Sequence, residues 1–192
     1  MNELNAQAKM ALTTLDPNAA LIVIDLQKGI TSMPTVHPVS TVIANAAKLA
    51  DAFRNDKKPV VLVNVSGGAP GRVEAPRPTG SRPADWTELV PELNLQPTDH
   101  RVTKQRWGAF SVEGLSEYLS SRGVTQVVIC GIATSMGVES TARQAHELGF
   151  NVTLAIDAMT DRDPSVHDNS VKNIFPKLGE RGTTEEIVSL LR

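Results

Sequence analysis

Four short apolar runs constrain this chain more than any other feature: Ala19–Ile24 (AALIVI), Val60–Val65 (VVLVNV), residues 127–130 (VVIC) and residues 152–156 (VTLAI). They are rich in β-branched residues and do not alternate with polar ones, which suits strands of a parallel sheet covered on both faces. Residues 101–103 read as a short fifth strand and residues 180–183 as a weak sixth. Segments of helical spacing lie between them. His37-Pro38 opens one that runs to Phe53, with Pro38 at the first helical position. Residues 111–121 read as a helix closed by Gly123, and residues 136–148 as one closed by Gly149. Asp163-Pro164 reads as an N-cap with a first-turn proline, and Thr183-Thr184-Glu185-Glu186 as a capping box. This alternation predicts one three-layer α/β/α domain over residues 1–192, with a central, mostly parallel sheet of about six strands and right-handed crossovers.

The bulk properties narrow the function classes. A 192-residue chain with 41% hydrophobic residues can bury a large core, and its net charge of −2 gives no electrostatic case for nucleic acid or an anionic membrane surface. No apolar run reaches the roughly 20 residues of a membrane span. The polar start MNELNAQAKMALTTLDP does not read as a signal peptide, so a cytoplasmic protein is expected. One cysteine, Cys130, leaves no internal disulfide and no cysteine-based zinc cluster. Residues 66–97 hold half of the prolines and several glycines, with Arg72, Arg77 and Arg82 among them. A stretch this long without periodicity reads as a lid or insertion, or else as an ordered surface loop.

In an open parallel sheet, ligands bind beyond the carboxyl ends of the strands. Three candidates follow the apolar runs directly: Asp25 (LIVIDLQ), Lys104 (RVTKQRWGAF) and the segment Gly131-Ile132-Ala133-Thr134-Ser135-Met136-Gly137. Asp25 sits at the end of an apolar run, where a carboxyl is expected neutral or paired, and Lys104 is the natural partner. A purely structural ion pair, or a turn cap, explains the spacing equally well. The GIATSMG segment passes from a strand into a helix, so its N–H groups converge as an anion or oxyanion site. Its small residues admit a ligand to the backbone, or merely allow tight packing.

Taken together, LIVIDLQKG, the run Lys104-Gln105-Arg106-Trp107-Gly108-Ala109-Phe110, VVICGIATSMGVESTARQAHELGFNVTLAIDA and the Asp-rich stretch at residues 159–175 resemble the isochorismatase-like hydrolases, or cysteine hydrolases. The resemblance implies an Asp–Lys–Cys triad, with Asp25 and Lys104 matching and Gly137 standing at the cysteine position. It also implies a cis peptide between Ile132 and Ala133, a substrate oxygen facing the N–H groups of Ala133 and Gly137, and self-association. Cys130, inside the strand, is no substitute. Glycine carries no nucleophile, so the thioester route is closed. The branch of true isochorismatases also commonly has glycine there and cleaves a vinyl ether without a covalent intermediate. By that analogy Asp25 protonates the enol carbon, water captures the cation and Lys104 holds the acid or the substrate. An ammonium lowers a carboxyl's pKa while burial raises it, and the spacing does not say which prevails.

The remaining expected contacts to a small carboxylated substrate are Ile132, Thr134, Ser135, Gln27, Arg106 and Trp107, with Phe110 beside them. Arg106 is suited to clamp a carboxylate. The turn lacks the aromatic and histidine of the true isochorismatases. Gly67 and Gly68 replace an expected glutamine, and Asn64-Val65-Ser66-Gly67 lacks the metal ligands of the nicotinamidase branch. Neither metal nor cofactor is expected, because the histidines at 37, 100, 146 and 167 show no ligand spacing. Two rivals stand: an inactive binding or scaffold protein on this fold, and a serine esterase built from Ser135, Asp157 and His167. In the preferred reading Ser135 caps its helix and His167 is an ordinary helix residue.

Overall fold

The computed structural model describes residues 12–76 and 80–191; Arg77 and most of the polar N-terminal stretch lie outside them. The chain runs β1 (Ala19–Ile24), α1 (Lys28–Thr31), α2 (Val39–Asn55), β2 (Val60–Val65), β3 (His100–Lys104), α3 (Leu115–Ser121), β4 (Gln126–Ile132), α4 (Glu139–Glu147), β5 (Asn151–Thr160), α5 (Pro164–Asn169), α6 (Phe175–Leu178), β6 (Glu180–Gly182) and α7 (Thr184–Leu190). The six strands form one all-parallel sheet in the order β3-β2-β1-β4-β5-β6. The winding direction reverses between β1 and β4, and a crevice opens at such a reversal beyond the strand ends.

Successive side chains of a strand point to opposite sides, and the central strands β1 and β4 are buried on both faces, whereas the edge strand β3 leaves Arg101 and Thr103 exposed. On one side Leu21 and Val23 pack with Val42, Ala46, Leu49 and Phe53 of α2 and Ile187 of α7. On the other, Ala20, Ile22 and Ile24 pack with Leu115 and Leu119 of α3, Ala142 and Ala145 of α4, and Phe175 of α6. The unbroken apolar runs are therefore the middle layer of a three-layer α/β/α domain.

Several boundaries shift from the sequence reading, each for a local reason. Pro38 is the N-cap of α2, one position before its first helical residue. The helix expected at residues 111–121 begins only at Leu115, because Gly114 takes a left-handed conformation (φ 88°) and a separate 3-10 turn, Ala109–Ser111, precedes it. The helix expected from residue 136 is a π-helical turn, Thr134–Val138, continued by α4. Strand β5 extends to Thr160 through a register shift against β4 between Ile129 and Gly131. Asp163 caps α5 by accepting the Ser165 N–H at 2.7 Å, and Thr183 with Glu186 closes a capping box on α7, as the residue types dictate.

Gly131 shows how tightly the two central strands meet. Its φ is 119°, and a Cβ added there would lie 2.0 Å from the Ile24 carbonyl oxygen. Its small size thus serves strand packing; it does not open a path for ligand. Gly131→Ala is expected to destabilise the domain by more than about 2 kcal/mol, combining a disfavoured backbone conformation with a clash against main chain. Urea unfolding, with retained stability as the contrary result, measures this.

Candidate active site

Asp25 is the first residue beyond β1, and its φ of 51° turns the chain out of the strand. Aspartate tolerates that left-handed conformation better than most residues. Its N–H donates to Val63 O at 2.9 Å, so it remains tied to β2. Lys104 ends β3, opposite Val65 in register, and its long side chain spans the end of β2. Its Nζ donates to Asp25 Oδ2 at 2.6 Å, with side-chain exposures of 1% for lysine and 8% for aspartate. Asp25 Oδ1 is buried with no hydrogen-bond partner among the described residues.

Two opposing influences act on Asp25. Burial is the larger and lifts its pKa from the ordinary 3.8 to about 6, while the charge and hydrogen bond of Lys104 pull it down. A carboxyl in that range exchanges protons near neutral pH.

The GIATSMG segment brings the third element. The Ile132–Ala133 peptide is cis. A Cβ built on Gly137 would stand 3.3 Å from Asp25 Oδ2 and 2.9 Å from Ile24 Cγ2, so any side chain at 137 would meet the carboxyl. Two residues that the motif reading passed over fix this arrangement. Thr141 Oγ1 donates to Gly137 O at 2.7 Å and accepts the Ala109 N–H at 3.0 Å, and Gln144 Oε1 accepts the Phe110 N–H at 3.2 Å. These bonds lock the segment after Lys104 against α4. A polar pair at positions 141 and 144 on a helix is ordinary, so no sequence signal marked it.

Other expected contacts lie elsewhere. Gln27 is fully buried and its amide is engaged on both sides, accepting from Val65 N at 2.7 Å and donating to Val65 O and Trp86 O at 3.0 Å. It staples the second half of the 66–97 segment to the sheet, reinforced by Gly29 N–H to Trp86 O at 3.0 Å and Val90 N–H to Leu26 O at 3.0 Å. Through these bonds Gln27 anchors that half of the segment. Residues 68–76 are exposed, whereas the Arg82 guanidinium lies 4.0 Å above the Trp86 ring and donates to Ser66 O at 2.9 Å.

Ile132 packs its side chain into the core, leaving only its backbone to the turn. Ser135 does not cap α4; its N–H donates to Asp161 Oδ2 at 2.7 Å. Phe110 stacks on Phe150, with ring centroids 5.8 Å apart, and packs against the core. Trp107 is 57% exposed, and Arg106 is exposed with no ion-pair partner among the described residues. The serine-esterase arrangement does not assemble. Asp157 Oδ1 accepts from Thr184 N and Oγ1, and His167 Nδ1 pairs with Thr134 Oγ1. Cys130 is wholly buried, and burial pushes its thiol pKa far up. Among the described residues no group of three or more His, Cys, Asp or Glu side chains is arranged to hold a metal ion, and no helix is long and apolar enough to cross a membrane.

Lys104→Met leaves a buried carboxyl without its cation, and the Asp25 pKa is expected to rise further above about 6. A folded-state pKa above the unfolded value near 3.9 gives stability that is full below that value and lost as pH rises through the folded one. The deficit of the variant against wild type should therefore be small at pH 5 and grow by up to about 1.4 kcal/mol per pH unit above about 6, to about 2–3 kcal/mol at pH 8. Urea unfolding at the two pH values tests this, and a deficit independent of pH would contradict it.

Comparison with known proteins identifies the family. Residues 19–186 match the family model described as Isochorismatase domain. The isochorismatase family protein YwoC of Bacillus subtilis is 40% identical over 180 residues, covering 90% of this chain and 94% of its own. Streptothricin hydrolase of Streptomyces noursei is 33% identical over 172 residues, covering 88% of this chain and 60% of that protein. The solved structure of an isochorismatase family protein from Burkholderia thailandensis superposes with a TM-score of 0.88 at 38% identity, covering 93% of this chain and 97% of that one. The chain belongs to the isochorismatase family.

Proposed function

We propose that this protein is a hydrolase that cleaves a small carboxylated enol ether by acid catalysis, with Asp25 as the proton donor. One observation carries the reading: a buried carboxyl with a pKa of about 6 faces Gly137, a position with no nucleophilic atom. In this mechanism the Asp25 carboxyl gives its proton to the terminal enol carbon, and the π electrons of the double bond form the new C–H bond. The adjacent carbon becomes an oxocarbenium ion. Water adds there and returns a proton to the Asp25 carboxylate, and the hemiketal collapses to a keto acid and an alcohol. Lys104 holds the Asp25 carboxyl in position through their hydrogen bond, and the N–H groups of Ala133 and Gly137 are assigned to the substrate's oxygen. Arg106, exposed and unpaired among the described residues, together with Trp107, is assigned to the substrate carboxylate. The named hydrolases among the relatives support hydrolysis as the reaction class, and the missing thiol sets this chain apart from a covalent amidase route. Cytoplasmic location and self-association belong to the same reading, and sedimentation velocity tests the latter.

The test offers isochorismate and simpler enol ethers and follows pyruvate with a coupled dehydrogenase. Asp25→Asn is expected to reduce turnover by about 10²–10⁴-fold, the usual contribution of a positioned acid. Because the acid must be protonated, kcat/KM should decline as pH rises above about 6. Absence of pyruvate from every enol ether would sink the proposal and leave a binding role for the fold. As a separate check, iodoacetamide should leave wild-type activity unchanged, since Cys130 is buried and stays a neutral thiol.

A further inference from the structure

The turn that faces Asp25 is also held by a pair of imidazoles to which the proposed reaction assigns no part. His167, on α5 and only 7% exposed, places Nδ1 2.9 Å from Thr134 Oγ1, and Thr134 is itself fully buried in the π-helical turn between the cis peptide and Gly137. The His167 ring meets that of His37 edge-on, with centroids 4.8 Å apart and an interplanar angle of 61°. His37, just before α2, lies with both its N–H and its Nδ1 3.1 Å from Thr160 Oγ1. Thr160 is the β5 residue paired with Ile132, so the two histidines link the turn to the end of the strand beside β4.

The charges facing this pair come from every neighbouring element. Asp161, after β5, accepts the N–H groups of Ser135 and Arg162 at 2.7 Å. Asp168 and Lys172 lie on the same stretch as His167 and pair with each other at 2.6 Å. Glu139 of α4 is committed to Arg143 and to Ser170. Burial, followed by the neighbouring His37, outweighs Asp161 and Asp168 and holds the His167 pKa below the usual imidazole value. A neutral ring exchanges one hydrogen bond with the Thr134 hydroxyl in either tautomer. A doubly protonated ring must donate from both nitrogens, which forces the Thr134 proton elsewhere and sets a positive charge against His37.

We propose that His167 is a positioning residue that, as a neutral imidazole paired with His37, holds Thr134 and the turn facing Asp25, and that its protonation in acid loosens that turn. The inference rests on reading this turn as part of the site, and it predicts an acid-side loss of organisation distinct from the titration of Asp25.

The test follows backbone amides of Thr134, Ser135 and Gly137 in nitrogen-15 spectra of the full chain between pH 5 and 8, alongside the ring resonances of His167. Expected is a titrating shift of the turn amides with the midpoint of the His167 ring. It should persist in Asp25→Asn and be lost in both His167→Gln and Thr134→Val. Thr134→Val leaves the ring in place, so it decides the matter if His167→Gln fails to fold. Turn amides that are flat in wild type, that follow Asp25 only, or that still track His167 in Thr134→Val would overturn the inference. No substrate is needed, so failure to turn over enol ethers would count against the proposed reaction alone. Where turnover is found, His167→Gln should remove an acid-side loss of kcat that wild type shows, while an effect equal at every pH would indicate a merely structural role.

Discussion

A carboxylate and an ammonium held 2.6 Å apart out of water set the terms for the rest of this structure. Taking both charges from solvent is costly, and the attraction between them offsets that cost only when the geometry is held. The fold supplies the restraint. Asp25 is pinned to β2 by its backbone, and Lys104 terminates the strand beyond it. The compensation remains incomplete, because one carboxyl oxygen has no partner among the described residues and burial outweighs the lysine. An acid kept near neutrality is the direct consequence, and such poised groups cluster where proteins do chemistry.

Around this pair the surrounding segments act as braces. The strand-to-helix turn after β4 is tied to Asp161 through Ser135, to α4 through Thr141 and to α5 through Thr134 and His167. The segment after Lys104 is tied to α4 through Thr141 and Gln144. Gln27, beyond the end of β1, fastens the later half of the 66–97 segment to β2, with both polar atoms of its amide used. Side chains within bonding reach of the backbone thus fix a site whose two charged members come from strands separated by another strand.

Gly137 gives the site its character. Any side chain there would meet both Ile24 and the Asp25 carboxyl, so glycine leaves the acid facing backbone. Gly131, six positions earlier in the same motif, has a different cause: it lets β1 and β4 approach, and a methyl group there would strike a main-chain carbonyl. Two glycines of one short motif are therefore small for unrelated reasons, and only contact distances separate them.

Much of the architecture was legible in the residues alone. Apolar runs without alternation fix strands buried on both faces, and Asp163-Pro164 and Thr183 through Glu186 fix helix starts, because those signals are local and each residue's chemistry acts on its own backbone. The order of acid, lysine and small-residue turn likewise marked residues that the fold brings together. Tertiary structure alone decided the rest. It set the Asp25 pKa, since burial and a cation from 79 residues away compete through space. It made Gln27 a staple, split the helix expected at residues 111–121, and gave the helix residue His167 a partner in Thr134. Such outcomes depend on which distant groups share a few ångströms, and a periodicity read along one chain carries no measure of that distance.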